Sequence, residues 1–91
     1  MKEFRSRVTA TVGLHARPAA LFASTAKSSG DKVRLAKIVD EQATAFVDGA
    51  SVLRVMTLGV ACGDEVIVTV DGGSEDATIT KLREIIESDI H

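Results

Sequence analysis

The sequence predicts an α+β fold, a four-stranded antiparallel sheet with three helices packed on one face, in the order β-α-β-β-α-β-α. Three observations predict it. Short segments such as Phe4 to Thr9 and Glu65 to Val70 alternate apolar and polar residues with the period of a half-buried strand. Longer runs, Ala16 to Ser28 and Ser74 to Ile90, place apolar residues at helical spacing on one stripe. The chain has 91 residues, enough to close one core and too few for two, so residues 1–91 form a single domain. With one apolar face per strand and one stripe per helix, the helices cover one side of the sheet and water covers the other.

Each element has its own signal. In the first strand Phe4, Ser6 and Val8 share one side and Arg5 and Arg7 the other. The first helix is rich in Ala, sets Ala19, Phe22, Ala23 and Ala26 on one face, and is closed by Gly30. A second strand starts at Val33 and Leu35 and reads on through Lys37 to Val39; a third runs from Ala43 to Val47. The acidic pair Asp40-Glu41 between them suits a hairpin loop. Ser51 opens a short helix, SVLRVMTLG, which ends at Gly59. The fourth strand, Glu65 to Val70, stops at Asp71-Gly72-Gly73. Ser74 then caps the closing helix, whose first turn holds Glu75 and Asp76 where the helix dipole favours acids, and whose stripe is Ile79, Leu82 and Ile86.

Composition excludes several classes of function. Hydrophobic residues make up 45% and charged residues 26%, the balance of an ordered globular chain. Three Phe with no Tyr or Trp, and a net charge of -2, provide neither a base-stacking platform nor a basic footprint for nucleic acid. One Cys, Cys62, cannot form an internal disulfide, which fits a reducing, cytoplasmic setting. That Cys with two His is too small a set for a zinc site, so no metal is expected, and no motif calls for a cofactor. The start, MKEFRSRV, lacks the apolar core of a signal peptide, and no stretch approaches the length that inserts into a membrane.

The chemistry concentrates in GLHARPAA, residues Gly13 to Ala20. His15 stands at the entry of the first helix and Pro18 inside its first turn, where a missing N–H costs nothing. The first-turn amides lack helical acceptors and, with the positive end of the dipole, make an anion site; Arg17 adds a fixed charge with donors suited to phosphate oxygens. A neutral imidazole is a free nucleophile near pH 7, and the nitrogen–phosphorus bond it forms is reactive enough to be passed on. Alone, a His at a helix start is ordinarily a capping or solvated residue, and an Arg a surface charge. Together, behind a glycine and before the proline, they point to anion chemistry. The charge pattern agrees: no Asp or Glu falls between Phe4 and Gly30 or between Gly49 and Gly63, although the chain has 13 of them. Carboxylates there would repel a phosphoryl group.

These residues resemble a known family. Gly13-Leu14-His15-Ala16-Arg17-Pro18-Ala19 looks like the active-site signature of the HPr family, the histidine-containing phosphocarriers of the bacterial phosphoenolpyruvate-dependent sugar phosphotransferase system. Ser51-Val52-Leu53-Arg54-Val55-Met56-Thr57-Leu58-Gly59 is similar to its second signature, and the element order is that of the family's HPr-like open-faced β-sandwich. The resemblance spans the whole chain.

It implies a relay and not an enzyme. Phosphorylated enzyme I gives a phosphoryl group to Nδ1 of His15, which gives it to the IIA domain of a sugar permease; Arg17 pairs with the group, and the amides of Ala16 and Arg17 support it. Ala20, Leu21, Val52, Leu53 and Met56 are then the partner-docking patch, with Val55 and Leu58 turned inward, because the short helix carries more apolar residues than one buried face can use. Ser51 is fully explained as an N-cap; in many Gram-positive members the matching serine is also phosphorylated by an HPr serine kinase/phosphatase, and in others it is not. Two departures stand out. The segment from Leu35 to Ser51 is longer than in the usual member, which places a longer hairpin around Lys37 to Thr44, and Ala50 stands where a Lys often precedes the serine. Two other readings share the site: a paralogue in a nitrogen-type or regulatory phosphorelay, and a non-catalytic module in which His15 and Arg17 only bind an anion.

Overall fold

In the computed structural model, which describes residues 1–8 and 16–87, the chain forms β1 (Lys2–Arg7), α1 (Ala16–Ser29), β2 (Lys32–Val39), β3 (Gln42–Ala43), β4 (Val47–Asp48), α2 (Val52–Thr57), β5 (Glu65–Asp71) and α3 (Glu75–Glu87). The strands make one antiparallel sheet in the order β1-β5-β2-β3, with β4 pairing β2 beside β3. This is the expected α+β open-faced sandwich. Of the first strand as read from the sequence, Thr9 lies outside the described residues, and so do Ser88 to Ile90 of the closing helix as read from the sequence.

Register explains the core. Phe4 lies opposite Val68, Val68 opposite Leu35, and Leu35 opposite Val47, so one row crosses the sheet. Period-two alternation turns this row to the helices, with Val33, Val66, Val70 and Val8 beside it. Ala19, Phe22, Ala23 and Ala26 of α1, Val55 of α2, and Leu82 and Ile86 of α3 close over it, all essentially without exposure. The small residues of α1 let that helix pack closely against α3 and α2, and Phe22 fills the space beneath it in the core. Fully burying such a ring contributes about 2–3 kcal/mol.

Two details differ from the sequence-based expectation. The third strand is not continuous. Ile38 pairs with Ala43 but Leu35 pairs with Val47, so Ala36 and Lys37 face Thr44, Ala45 and Phe46, one residue too many. The edge strand therefore bulges and splits into β3 and β4. The loop of the hairpin is itself tight. Asp40 and Glu41, with φ of 51° and 68°, form a two-residue turn between the paired Val39 and Gln42, and the excess length is taken up beyond it. On α3, Thr78 is buried where Ile79 was expected, and Ile79 is half-buried against the core. Burial of Thr78 is tolerated because its Oγ1 donates to Asp31 Oδ2 at 3.0 Å. The other Asp31 oxygen accepts the Ser74 N–H at 3.2 Å, so Asp31 satisfies the entry to α3 from the far end of α1.

Candidate functional site

His15 and the Gly13-Leu14 that precede it lie outside the described residues, and so does the side chain of Ala16. From Ala16 onward the site can be built. Ala16 begins α1, Arg17 follows exposed, and Pro18 and Ala19 turn fully into the protein. Pro18 in the first turn forfeits no helical bond, because the N–H groups there have no intrahelical acceptor. Its burial anchors the first turn of the helix, with Arg17 exposed beside it. No acidic residue occupies that turn. One turn further, Ala20 and Leu21 are exposed, Leu21 to 39%.

α2 packs against α1, and its entry is shaped by short-range bonds. Asp48 Oδ1 accepts the Ala50 N–H at 2.9 Å, and Ser51, in extended conformation, caps the helix by accepting the Arg54 N–H on Oγ at 3.4 Å. Gly49 allows the approach: a Cβ there would lie 2.7 Å from Val33 Cγ1 and 3.1 Å from Phe22 Cε1. Val55 points into the core with no exposure and Leu58 packs partly against it, while Val52 and Met56 are each 37% exposed and Leu53 is 78% exposed. The helix thus presents three large apolar side chains to water, as the neighbouring α1 presents Leu21, a pattern that ordinary core packing does not produce. Like α1, it has no acid in its first turn.

Gly59, with φ of 64°, ends the helix, and the turn that follows is tied down by two residues that sequence reasoning did not single out. Lys37 Nζ, from β2, donates to the Gly59 carbonyl at 3.4 Å and lies 3.3 Å from Asp64 Oδ2. Asp64 Oδ2 also accepts the Ala61 N–H at 2.9 Å. That bond, more than the nearby Lys37 charge, holds the Asp64 carboxyl below its ordinary range. An Asp between Gly63 and a strand is the signature of a turn, but its lysine partner on another strand has no mark in the sequence. Arg54, exposed on the same short helix, adds a cation to this acid-free segment.

Among the described residues, no group of three or more His, Cys, Asp or Glu is placed to hold a metal ion, and no helix is long and apolar enough to cross a membrane.

This arrangement has close relatives. The family model described as "PTS HPr component phosphorylation site" matches residues 2–88. The phosphocarrier protein HPr of Streptomyces coelicolor is 34% identical over 86 residues, covering 94% of this chain and 88% of that protein. Among solved structures, an HPr of Thermoanaerobacter tengcongensis superposes with a TM-score of 0.81 at 34% identity, covering 94% of this chain and 91% of the other. That of Bacillus anthracis superposes with a TM-score of 0.83 at 26% identity, covering 94% and 96%. The fold and the matched signature define a phosphoryl-carrying protein of the phosphotransferase system. The chain belongs to the HPr family, and its role is that of a phosphocarrier that takes up and hands on a phosphoryl group.

Proposed function

We propose that His15 is the carrying residue, that it receives the phosphoryl group from phosphorylated enzyme I, and that it delivers it to IIA domains of sugar permeases in the cytoplasm. The observation that carries this reading is the pairing of two features at one end of the molecule. An acid-free start of α1 with Arg17 exposed lies on a helix that packs against α2, and Leu21, Val52, Leu53 and Met56 are exposed on these two helices.

The chemistry follows from those parts. The Nδ1 lone pair attacks phosphorus; a nitrogen–phosphorus bond forms as the bond from phosphorus to the donor breaks, and the reverse process on the acceptor regenerates neutral imidazole. Arg17 and the Ala16 and Arg17 amides match the negative oxygens while the group is in transit. Holding it weakly at a helix end keeps transfer reversible. Donor and acceptor dock in turn on the same apolar helices, which is why the patch is exposed when no partner is bound.

Ser51 is the place where docking can be regulated. Phosphate on its Oγ keeps acceptor oxygens at the start of α2 but adds charge at the edge of the patch, and that charge and its desolvation weaken both partner contacts. Ala50 in place of a Lys makes this chain a poorer substrate for a serine kinase than members that carry the Lys.

Incubation with enzyme I and phosphoenolpyruvate tests the reading. Acid-labile, base-stable phosphate should appear on the protein and be absent from His15→Ala. Equal labelling of that variant, or no labelling of the wild type, sinks it. Binding of phosphate without covalent labelling would favour the simple anion-binding module instead.

A further inference from the structure

With the start of β2, the segment between β2 and α2 lines a cleft that includes no residue of α1 or α2. The bulge at Thr44 to Phe46 turns the edge strand so that Phe46, one of only three Phe in the chain, is 42% exposed. Phe46 lines a cavity of about 500 Å³ together with Lys32, Val33, Arg34, Val47 and Asp48. That volume lies within the range of small-molecule sites. A smaller cavity of about 200 Å³ adjoins it on the β5 side, where the same Lys32 and Arg34 meet Thr69 and Asp71.

The two cations set the chemistry. Lys32 and Arg34 are two residues apart on β2, so they project from the same face of the strand about 6.6 Å apart, a spacing that straddles one phosphate. Neither side chain has a hydrogen-bond or ion-pair partner among the described residues, although Asp71 lies opposite Lys32 and Asp48 opposite Arg34 in the register. Asp48 is instead engaged with the Ala50 N–H through one oxygen, and Asp71 lies 3.7 Å from the N-terminal ammonium. Two uncommitted cations, an exposed aromatic ring and a carboxylate with a spare oxygen therefore converge on one opening. An anion alone has no use for the ring, and an apolar ligand none for the cations.

We propose that this cleft binds a nucleoside phosphate, with its phosphate between Lys32 and Arg34, its base stacked on Phe46 and a ribose hydroxyl donating to Asp48. The recognition is non-covalent, and it does not rest on the phosphocarrier reading. The site sits on the edge formed by β2 and β4, whereas the carrier site sits at the start of α1.

Titration of the full-length ¹⁵N-labelled protein with adenosine monophosphate, with adenosine and inorganic phosphate as half-ligands, tests it. Amide shifts are expected at 32–34 and 46–49, with each half-ligand binding more weakly than the nucleotide. Arg34→Gln and, separately, Phe46→Ala should each weaken binding at least about tenfold, as losing a charge-assisted bond or a stacking partner does. Both residues are exposed, and unchanged melting temperatures verify that the variants fold. The proposal is overturned if no shifts appear at millimolar nucleotide, if they fall on α1 and α2, if phosphate alone reproduces them, or if both variants bind as the wild type does. Labelling by enzyme I should be the same in Phe46→Ala as in wild type, which separates the two sites.

Discussion

Lys37 Nζ lies 3.3 Å from Asp64 Oδ2, joining the later part of β2 to the turn between α2 and β5. The same ammonium donates to the Gly59 carbonyl at the end of α2. The C-terminal end of α2 is thus held by a strand on the far side of the turn. Lys37 is fixed in turn by the edge strand, since its carbonyl accepts the Thr44 N–H at 2.8 Å and its N–H donates to Thr44 Oγ1 at 3.0 Å.

Asp64→Asn should lower stability by about 0.5–1 kcal/mol, because a neutral oxygen replaces the charged acceptor of the Ala61 N–H and the partly exposed pairing with Lys37 is lost. The pH dependence has a definite sign. The folded protein holds the Asp64 carboxyl below the ordinary value of 3.8, so its contribution is complete above that value and is lost as pH falls through the folded one. Denaturant melts between pH 5 and pH 2 should show a smaller loss of stability in Asp64→Asn than in wild type. Parallel curves would remove Asp64 from the account.

Met56→Glu and Leu53→Glu place a charge on the exposed side of α2, and each should weaken partner binding about tenfold or more with almost no change in melting temperature. Val55→Ala, on the inward side, should do the opposite, costing about 2 kcal/mol of stability and leaving the docking surface intact. Calorimetric binding and thermal melts on the same three variants decide the matter, and equal destabilisation by all three would show that the helix has no free face.

Ser51→Ala removes an N-cap. The Oγ to Arg54 N distance is 3.4 Å, long for such a bond, so the loss should fall near the low end for caps, about 0.5 kcal/mol. Ser51→Asp retains a capping oxygen and adds charge. It should melt like wild type yet bind partners more weakly, and undiminished binding would speak against regulation at this position.

Gly49→Ala tests the close approach at the entry to α2. A methyl group 2.7 Å from Val33 Cγ1 requires the neighbours to shift, and about 1–3 kcal/mol of stability should be lost, measured by denaturant unfolding.

Much of this architecture was legible because it is written in local periodicity. Phe4, Ser6 and Val8 alternate, and Ala19, Phe22, Ala23 and Ala26 repeat at helical spacing, and burial follows both patterns. The surplus of apolar residues in SVLRVMTLG likewise indicated an exposed side before any contact was known. What escaped reading depends on partners distant in the chain. The bulge exists only in the mismatch between β2 and its edge strand, Thr78 takes a core position only because Asp31 is there to receive its hydroxyl, and Lys37 meets Asp64 only once the sheet has formed. For the candidate site, sequence chemistry supplied His15 and Arg17, while the geometry added what holds α2 in place against α1.

Passage of the group from one partner to the next is the central claim, and it can be measured directly. The protein is labelled by enzyme I and radioactive phosphoenolpyruvate, purified away from both, and mixed with an unlabelled IIA domain. Label should move from His15 to the IIA domain within the mixing time, more slowly from Arg17→Ala, and should be absent from His15→Ala throughout. Label that stays on the carrier, or that leaves it only as free phosphate at the same rate with and without the IIA domain, would contradict the relay.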